Sequence, residues 1–364
     1  MTRAGAAAVK AGPTLEAPAG PIRLFIVDDS AVARAVLTRM LLAQPGFAIV
    51  GEASGAAEAV ERLAQIDADI ILLDVEMPGT SGLDALPRIL AAGRGAKILI
   101  VSCLCEDGAE EAVRALSLGA ADTLPKPGAQ TFGGSFSAVL AERIRRLVEP
   151  APSASAPPRL QPLPLRRSSA ARLGCLALGA STGGLHAIGE LLKALPPRIG
   201  APILIAQHLP PLFISFFARQ LEGLSGRTVR VAEAGMPLCP DEILLAPGDA
   251  HLSVERRGSR IVAALDTSAS ATGCMPSVDV TLGAVGQVYG RAGLGVVLSG
   301  MGRDGLAGAR SLVAHDGEVL VQDRASSAVW GMPRAVAEAG LAAAVLPPAE
   351  LADRIAERAE RARW

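Results

Sequence analysis

The sequence predicts two α/β domains, each built around a doubly wound parallel sheet. Short apolar runs alternate with amphipathic stretches from Arg23 onward, stop in a segment rich in Pro and Ser at 148–172, and resume at Leu173. The chain has 364 residues, which is enough for two domains of ordinary size. Because 50% of the residues are hydrophobic and only 20% are charged, the chain can bury two cores.

The N-terminal domain is predicted at 22–147, after a tail at 1–21 whose Ala, Gly and Pro content indicates flexibility. Amphipathic stretches such as Ser30–Leu42 and Ala109–Leu118 separate its apolar runs, and Ser30 is a candidate N-cap. Five β-α repeats of this kind indicate a five-stranded parallel sheet. The predicted strands are Leu24–Val27, Ala48–Val50, Ile70–Leu73, Ile98–Val101 and Asp122–Leu124.

The C-terminal domain is predicted at 173–364, and the aperiodic segment at 148–172 has the composition of a semi-extended linker. Its predicted strands are Cys175–Leu178, Ile203–Ala206, Val229–Val231, Ile243–Leu245, Gly295–Leu298 and Glu318–Val321. Its predicted helices are Gly184–Leu195, Leu212–Leu221, Val278–Tyr289, Gly305–Ala314 and Ala349–Arg361. This alternation again favours a doubly wound sheet.

Composition argues against several classes of protein. The net charge is −1 and no long basic run occurs, so a nucleic-acid partner is not expected. The 5 cysteines are odd in number and form no Cys-x-x-Cys pair, so neither a disulfide framework nor a zinc site is expected. No apolar run approaches the roughly 18 residues that span a bilayer, and no signal-peptide core occurs. We therefore expect a cytoplasmic protein without membrane insertion.

Polar side chains follow the predicted strands of the N-terminal domain. Asp28 and Asp29 follow the first strand, Asp74 follows the third, Ser102 ends the fourth and Lys126 follows the fifth. These groups should meet, because the carboxyl ends of parallel strands share one sheet edge. Clustered carboxylates suit Mg²⁺, and a carboxylate beside such an ion can attack phosphorus. One strand-end Asp would indicate only a turn, but this many polar groups at strand ends favour a site.

Four short motifs carry these polar residues. They are Val-Asp-Asp-Ser at 27–30, Leu-Asp-Val-Glu-Met-Pro at 73–78, Val-Ser at 101–102 and Lys-Pro at 126–127. In this order they resemble the receiver domain of bacterial response regulators. The resemblance implies a flavodoxin-like fold and phosphorylation of Asp74 by a histidine kinase. The position of the usual aromatic switch residue, three before the lysine, holds Thr123, so aromatic coupling is not expected here.

The same resemblance assigns roles to the clustered groups. Ser102 and Lys126 would contact the phosphoryl group. The Mg²⁺ ligands that it implies are Asp28, Asp29, Asp74 and the backbone of Glu76. These roles make the N-terminal domain a candidate phosphorylation switch for the domain that follows it.

A serine lies in a glycine-rich segment, Gly-Ala-Ser-Thr-Gly-Gly at 179–184, directly after the first predicted strand of the C-terminal domain. A strand, a sharp turn and a helix would expose the Ser181 hydroxyl at a helix N-terminus, which stabilises negative charge. Gly179 to Gly183 also fits the Gly-x-Ser-x-Gly pattern of nucleophile elbows. A glycine-rich turn that only packs a helix on the sheet, or a phosphate cradle, would give the same local pattern.

The chain has 4 histidines, and each is a candidate for the general base that a serine nucleophile needs. His208 follows the second predicted strand of this domain, so it should lie at the same sheet edge as Ser181. His315 should lie at the opposite edge and have a structural role. His186 lies on the helix after Ser181 and should point away, whereas His251 remains a candidate for lining the site.

An imidazole base needs a third group to hold it. Asp304 follows another predicted strand in a glycine-rich loop that opens a helix, although a plain helix N-cap would occupy the same position. Asp249 and Asp279 are weaker candidates. The chain order Ser, His, Asp differs from the order Ser, Asp, His of α/β-hydrolases, which disfavours a lipase-like fold.

Six motifs occur in order along the C-terminal domain. They are Gly-Ala-Ser-Thr-Gly-Gly at 179–184, Gln-His at 207–208, Ala-Pro-Gly-Asp at 246–249, Pro-Ser-Val-Asp at 276–279, Gly-Met-Gly-Arg-Asp-Gly at 300–305 and Gly-Met-Pro at 331–333. Together they resemble the catalytic domain of the chemotaxis protein-glutamate methylesterases, the CheB family. With the receiver-like domain in front, the resemblance covers the chain except its tail and linker.

This second resemblance implies both residue roles and a substrate. The implied nucleophile is Ser181, its base is His208 and the orienting carboxylate is Asp304. Met301 and Thr182 would lie at the oxyanion. The implied reaction is hydrolysis of glutamyl methyl esters, with deamidation of glutamine, on the cytoplasmic domain of a methylated chemoreceptor. No cofactor is implied in this domain.

Cys274 departs from the family's pattern, because a basic residue usually precedes the segment Met-Pro-Ser at 275–277. The departure concerns a substrate-side contact and not the triad. Three other functions stay open. A DNA-binding output is disfavoured because no helix-turn-helix pattern or basic face occurs. A docking adaptor with an inactive esterase and a phosphorylation-controlled esterase or amidase for a protein outside chemotaxis also fit the motifs.

Overall fold

The computed structural model describes residues 20–102, 106–126, 134–148 and 165–360. The predicted tail up to residue 19 and the predicted linker from 149 to 164 lie outside the described residues, as do Cys103 and Cys105. No helix among the described residues combines the length and the apolar character needed to cross a bilayer.

Strands and helices alternate in the described part of the N-terminal domain, as the β-α pattern predicted. The strands are β1 (Ile22–Val27), β2 (Phe47–Ala53), β3 (Ile70–Leu73), β4 (Lys97–Ser102) and β5 (Asp122–Pro125). The helices are α1 (Ala31–Leu42), α2 (Ala56–Leu63), α3 (Gly82–Ala92), α4 (Glu106–Ser117) and α5 (Gly134–Val148).

The N-terminal sheet is parallel and has the strand order β2-β1-β3-β4-β5. This doubly wound topology confirms the predicted fold class. β2 is longer than the predicted Ala48–Val50 because its pairing with β1 continues past a bulge at Leu24 and Phe25. Ser30 caps α1 as expected, since its hydroxyl accepts the Ala33 N–H at 3.2 Å.

The C-terminal domain contains the remaining elements. The strands are β6 (Cys175–Ala180), β7 (Ile203–Gln207), β8 (Val229–Val231), β9 (Ile243–Leu245), β10 (His251–Arg257), β11 (Arg260–Asp266), β12 (Gly293–Val297), β13 (Glu318–Gln322) and β14 (Ala344–Leu346). The helices are α6 (Gly184–Ala194), α7 (Pro211–Ser225), α8 (Val278–Tyr289), α9 (Leu306–Ala314), α10 (Met332–Glu338) and α11 (Pro348–Glu360).

The C-terminal sheet is also parallel, with the order β14-β13-β12-β6-β7-β9-β8. Helices cover both of its faces, as predicted for a doubly wound sheet. Helices α6, α7 and α11 bury Leu191, Phe217 and Leu351 on one face. Helices α8 and α9 bury Leu282 and Leu312 on the other face. Two apolar layers therefore hold the strand ends of the site in place.

The predictions missed the antiparallel hairpin of β10 and β11, the helix α10 and the strand β14. The hairpin packs on α8 with one face only, where Thr281 Oγ1 donates to the Leu252 carbonyl at 2.7 Å. In β10 the buried Leu252 and Val254 alternate with Ser253 and Glu255, so this strand shows no continuous apolar run, whereas the short run at 261–265 of β11 was not assigned as a strand. β14 has 3 residues, and so short a run carries no periodicity.

The two domains pack against each other through α4, which contacts α6 and α7. Ser117 of α4 takes part twice. Its carbonyl accepts the His186 Nδ1–H at 2.9 Å, and its hydroxyl donates to Gln220 Oε1 at 2.9 Å. Just before β5, the Ala121 carbonyl accepts the Gly183 N–H at 3.1 Å. The N-terminal domain is therefore held directly beside the turn that follows β6.

Candidate active site

Three carboxylates meet at the carboxyl edge of the N-terminal sheet. Oxygen atoms of Asp28, Asp29 and Asp74 lie within 4.8 Å of one another. Lys126 Nζ lies 2.8 Å from Asp28 Oδ2 and 2.5 Å from Asp74 Oδ2. Hard oxygen donors grouped this closely, with a cation already drawn to them, fit the preferences of Mg²⁺.

Opposing effects act on the charges of this acidic pocket. Burial raises the pKa of Asp74, and neither Lys126 nor the Glu76 N–H, which donates to Asp74 Oδ1 at 3.1 Å, fully offsets it. Burial lowers the pKa of Lys126, but its hydrogen bonds to Asp28 and Asp74 outweigh burial and raise it. Lys126 therefore stays protonated beside Asp74. Ser102 ends β4, but its side chain lies outside the described residues.

The turn after β6 presents Ser181 at the N-terminus of α6. Gly183 adopts a left-handed conformation there, with φ of +73°, as the N-cap of α6. A side chain at this position would also clash, because its Cβ would lie 2.4 Å from Ala328 Cβ. The Ser181 N–H donates to the Ser299 carbonyl at 3.0 Å, which fixes the turn on the sheet. Among the described residues the Ser181 hydroxyl has no hydrogen-bond partner, so it is available to a base.

His208 lies at the end of the neighbouring strand. Ala180 of β6 is in register with Gln207 of β7, and the His208 N–H donates to the Ala180 carbonyl at 3.1 Å. Adjacent strands lie about 4.8 Å apart, so Ser181 and His208 leave the sheet side by side. His208 Nε2 lies 2.7 Å from Asp304 Oδ2. Nδ1 is therefore the ring nitrogen left for a proton from Ser181.

Asp304 is held by a cage of donors and is only 1% exposed. Besides His208, its carboxylate accepts the Val278 N–H at 2.7 Å, the Asp279 N–H at 3.1 Å and the Ser277 hydroxyl at 2.9 Å. It is not the helix N-cap that the sequence also allowed, because Gly305 caps α9. The cage fixes the carboxylate toward the imidazole.

These contacts set the charges of the pair. Burial alone would raise the pKa of Asp304, but hydrogen bonds from His208 and Val278 lower it to about 2. Burial lowers the pKa of His208, but Asp304 and Cys274 outweigh burial and raise it to about 9. Interaction with His208 in turn lowers the pKa of the Cys274 thiol. The resting site therefore favours an imidazolium between a carboxylate and an acidic thiol.

Supporting residues behind the site escaped the sequence analysis. Gln207 is 2% exposed, and its Nε2 donates to the Ser181 carbonyl at 2.9 Å and to the His208 carbonyl at 3.3 Å. His251, expected as a candidate for lining the site, is instead fully buried behind it. Its Nδ1 accepts the Ser277 N–H at 2.9 Å. Gln207 belongs to the Gln-His motif at 207–208, but the sequence analysis gave it no role of its own.

The other sequence candidates lie away from the imidazole. His186 points to the N-terminal domain, and the exposed His315 hydrogen-bonds through Nδ1 to the Ser311 carbonyl at 2.8 Å. Asp279 accepts the Gly308 N–H at 2.7 Å through its carboxylate. The structure thus places Ser181 and His208 at one sheet edge and along one cavity, with Asp304 hydrogen-bonded to His208, and leaves these others in structural positions.

Two backbone donors are available for a developing oxyanion. A Cβ built on Gly300 would lie 2.9 Å from Ser181 Cβ, so the loop that carries Met301 lies directly against the serine. Among the described residues, the N–H groups of Met301 and Thr182 have no hydrogen-bond acceptor. Unpaired N–H groups beside a nucleophile are the donors that acyl transfer requires.

A cavity of about 730 Å³ joins these groups and lies between the domains. Ser181, His208 and Met301 line one side, and Thr123 and Arg143 of the N-terminal domain line the other. A hydroxyl nucleophile, a base with its orienting carboxylate and free N–H groups can perform acyl transfer. In this arrangement the N-terminal domain covers the entrance.

Replacing Cys274 should change the pH dependence of Ser181 reactivity. Cys274→Ala removes one of the two groups that raise the pKa of His208, so the imidazole loses its proton at lower pH and can act as a base there. We expect the rising limb of the rate of Ser181 labelling by a fluorophosphonate to move down by roughly one pH unit. Cys239→Ala, at another half-buried cysteine, is the matched control. If the pH profile of Ser181 labelling in Cys274→Ala stays in place or moves to higher pH, Cys274 does not raise the pKa of His208.

Proteins similar to both domains are known. Residues 176–355 match the family model of the CheB methylesterase, and residues 24–131 match that of the response regulator receiver domain. The chain is 42% identical over 345 residues to the protein-glutamate methylesterase/protein-glutamine glutaminase 2 of Caulobacter vibrioides, over 93% of this chain and 99% of that protein. It is 36% identical over 377 residues to the protein of that name from Azospirillum brasilense, over 96% of each. The crystal structure of the Thermotoga maritima CheB methylesterase catalytic domain matches with a TM-score of 0.50 and 34% identity, over 51% of this chain and 99% of that one.

Proposed function

This chain belongs to the CheB methylesterase family, and from that premise we propose that it hydrolyses glutamyl methyl esters, and deamidates glutamine, on the cytoplasmic part of a chemoreceptor. It is a hydrolase with an attached receiver domain. Ser181 is the proposed nucleophile, His208 its base and Asp304 the residue that holds the imidazole. The contact of 2.7 Å between His208 and Asp304, at the strand edge that also carries Ser181, is the main support for this assignment.

The proposed reaction is acyl transfer in two steps. Once His208 has lost its extra proton, Nδ1 of the neutral imidazole takes the Ser181 proton as the serine oxygen attacks the ester carbonyl, and it then gives that proton to the departing methanol. Water next attacks the glutamyl-enzyme, loses a proton to His208 and releases glutamate, which regenerates Ser181. A glutamine side chain gives the same acyl-enzyme with ammonia as the leaving group. The Thr182 and Met301 N–H groups would each stabilise the oxyanion by about 3 kcal/mol.

For the receiver domain we propose that Asp74 accepts a phosphoryl group from a histidine kinase. Asp28, Asp29 and Asp74, with the backbone of Glu76, would hold Mg²⁺, which when bound neutralises clustered carboxylate and phosphoryl oxygens. Lys126 already contacts Asp74 and would pair with the new phosphoryl oxygens. The close oxygen cluster and the half-buried lysine beside it support this role.

Phosphorylation would control access to the esterase site. A phosphoryl group adds about two negative charges beside Lys126, which directly follows β5. Residue Ala121, just before β5, contacts the nucleophile turn, and Thr123 lines the shared cavity. A shift of Lys126 toward the phosphoryl group would disturb these contacts and lower the population of the covered state. This path does not need an aromatic residue at the Thr123 position.

Weakening the domain contact should raise the basal activity. Gln220→Ala removes the acceptor of the Ser117 hydroxyl, a bond worth about 1 kcal/mol, so the open population should increase roughly fivefold. The rate of methanol release without phosphodonor measures this change. Gln287→Ala, at an exposed glutamine of α8 with no described partner, is the matched control. An unchanged or lower basal rate in Gln220→Ala would argue against domain covering as the means of control.

Removing the phosphorylation site should remove the response to phosphodonor. The parent protein with Mg²⁺ and acetyl phosphate is expected to release methanol at least about fivefold faster, because coupling between two sites commonly has this size. Asp74→Asn should keep its basal rate and show no response. Asp67→Asn, at an exposed aspartate of the same domain, should respond like the parent. A response retained in Asp74→Asn would place the phosphoryl group elsewhere.

A further inference from the structure

A half-exposed cysteine lies next to the proposed triad. Cys274 belongs to the loop between β11 and α8 and lines the cavity with Ser181 and His208. Its Sγ, a ring nitrogen of His208 and a carboxylate oxygen of Asp304 all lie within 4.8 Å of one another. Thiolate, imidazole and carboxylate are the side-chain ligands of zinc sites. The acyl-transfer mechanism gives the thiol no role.

We propose that Cys274, His208 and Asp304 form a zinc site whose occupation switches the esterase off. Ligand atoms around a tetrahedral zinc ion lie roughly 3.3–3.8 Å apart, given bonds of about 2.0–2.3 Å. To reach that spacing, His208 Nε2 and Asp304 Oδ2, which lie 2.7 Å apart, must separate by roughly 0.6 Å as their hydrogen bond opens. Rotation of the half-exposed Cys274 side chain adjusts the position of its Sγ. The fourth position faces the cavity and would hold water, so the ion can enter and leave.

The chemistry of the ligands separates this site from the acidic pocket of the receiver domain. A thiolate and an imidazole favour zinc and cadmium over magnesium, whereas three carboxylates favour magnesium. The sequence argument against a zinc site concerned paired cysteines, because it rested on the absence of a Cys-x-x-Cys pair. Here each ligand comes from a different segment of the chain, so no local spacing reveals the site.

Zinc at this position would prevent His208 from acting as a base, because it would leave the ring proton on Nδ1. Asp304 holds Nε2, so a metal ion bound to Asp304 and Cys274 meets His208 at Nε2. Binding releases two protons to solvent, the thiol proton of Cys274 and the Nε2 proton of the imidazolium, and the remaining ring proton stays on Nδ1. Nδ1 then carries a proton and cannot accept the one from Ser181. The loss of activity rests on the proposed function, whereas metal binding does not.

The test uses the full chain in metal-free buffer with excess Mg²⁺, which occupies the acidic pocket. Cd²⁺ is titrated while the thiolate-to-metal charge-transfer absorbance is recorded, and Zn²⁺ is then used in competition. Methanol release is measured with and without saturating Zn²⁺, each variant being compared with its own metal-free rate. Cys103→Ser and Cys105→Ser are present throughout to remove two other thiols. Cys274→Ser is compared with Cys239→Ser in this background.

We expect the background protein and its Cys239→Ser form to bind about one equivalent of Cd²⁺ with the thiolate absorbance. Zn²⁺ should lower their methanol release at least about tenfold, and a chelator should restore it. Cys274→Ser should lose the absorbance and keep more than half of its own rate. Equal binding and inhibition in Cys274→Ser, or full activity of the zinc-saturated background protein, would overturn the proposal. If the metal-free background protein releases no methanol, the proposed esterase function is wrong. The metal site is then tested by the thiolate-to-cadmium absorbance alone.

Discussion

Ser181→Ala is expected to lower kcat for methanol release from a methylated receptor by about a millionfold. The hydroxyl oxygen is the proposed attacking atom, so its removal leaves His208 without the nucleophile that it activates. The N–H groups of Thr182 and Met301 would remain, so some stabilisation of a water-attacked intermediate should persist. Methanol release under saturating substrate measures the effect.

A matched serine separates loss of the nucleophile from loss of the fold. Ser253→Ala, on the half-exposed face of β10, should leave both methanol release and thermal stability near the parent values. The Ser181→Ala protein should also unfold near the parent temperature, because its hydroxyl has no described hydrogen bond to lose. Methanol release in Ser181→Ala within tenfold of the parent would refute the serine mechanism.

Asp304→Asn should lower kcat by about 10⁴-fold and also destabilise the domain. The carboxylate accepts several donors at once, and an amide offers a single oxygen while directing its own N–H₂ toward donors. A buried unmet donor costs about 1–3 kcal/mol. The imidazole would also no longer be held with its proton on Nε2, so Nδ1 would cease to be a reliable base. Single-turnover kinetics and urea unfolding measure the two effects.

Asp249→Asn provides the comparison for Asp304→Asn. Asp249 is an exposed aspartate of the same domain and has no described contact with His208. Its replacement should leave kcat within about twofold and the unfolding midpoint unchanged. Parent-like kcat in Asp304→Asn would show that His208 needs no carboxylate partner, and the proposed orienting role would then be wrong.

The sequence could predict the groups at the strand ends because parallel sheets bring such ends to one edge. Asp74, Ser181 and His208 each follow a buried apolar run, so locating the strands also located these side chains. Two runs of β-α alternation, with a linker composition between them, likewise predicted two domains. The chain length between strands did not matter, because the sheet order and not the sequence distance sets which ends become neighbours.

The residues that support the site could not be predicted in the same way. The predicted strand ended at Ala206 and left Gln207 outside it. In the structure, pairing with Ala180 extends β7 to Gln207. His251 and Ser277 act through each other and through Asp304, and nothing local in the sequence joins them. Buried polar contacts of this kind depend on which segments the core brings together, and side-chain patterns report only which face is apolar.

The packing of the domains was also beyond sequence analysis. The two-domain layout indicated a phosphorylation switch, but no pattern indicated that α4 would supply the contact between the domains. Its bonds to α6 and α7 use one carbonyl, one hydroxyl and one long amide, all of which occur widely on protein surfaces.

The hydrogen bond from Gly183 to Ala121 joins main chain to main chain, and this limits how the two domains can diverge. No ordinary side-chain exchange deletes the donor or the acceptor. Proline at 183 would delete the donor, but its ring fixes φ near −65° and the turn requires +73°. Substitutions of surface side chains can therefore change the strength of the other contacts between the domains. The backbone bond from Gly183 to Ala121 stays as long as the turn after β6 keeps its conformation. Weaker packing between the domains would have to arise in the surrounding helices, because breaking this bond directly would disturb the turn that carries the proposed nucleophile.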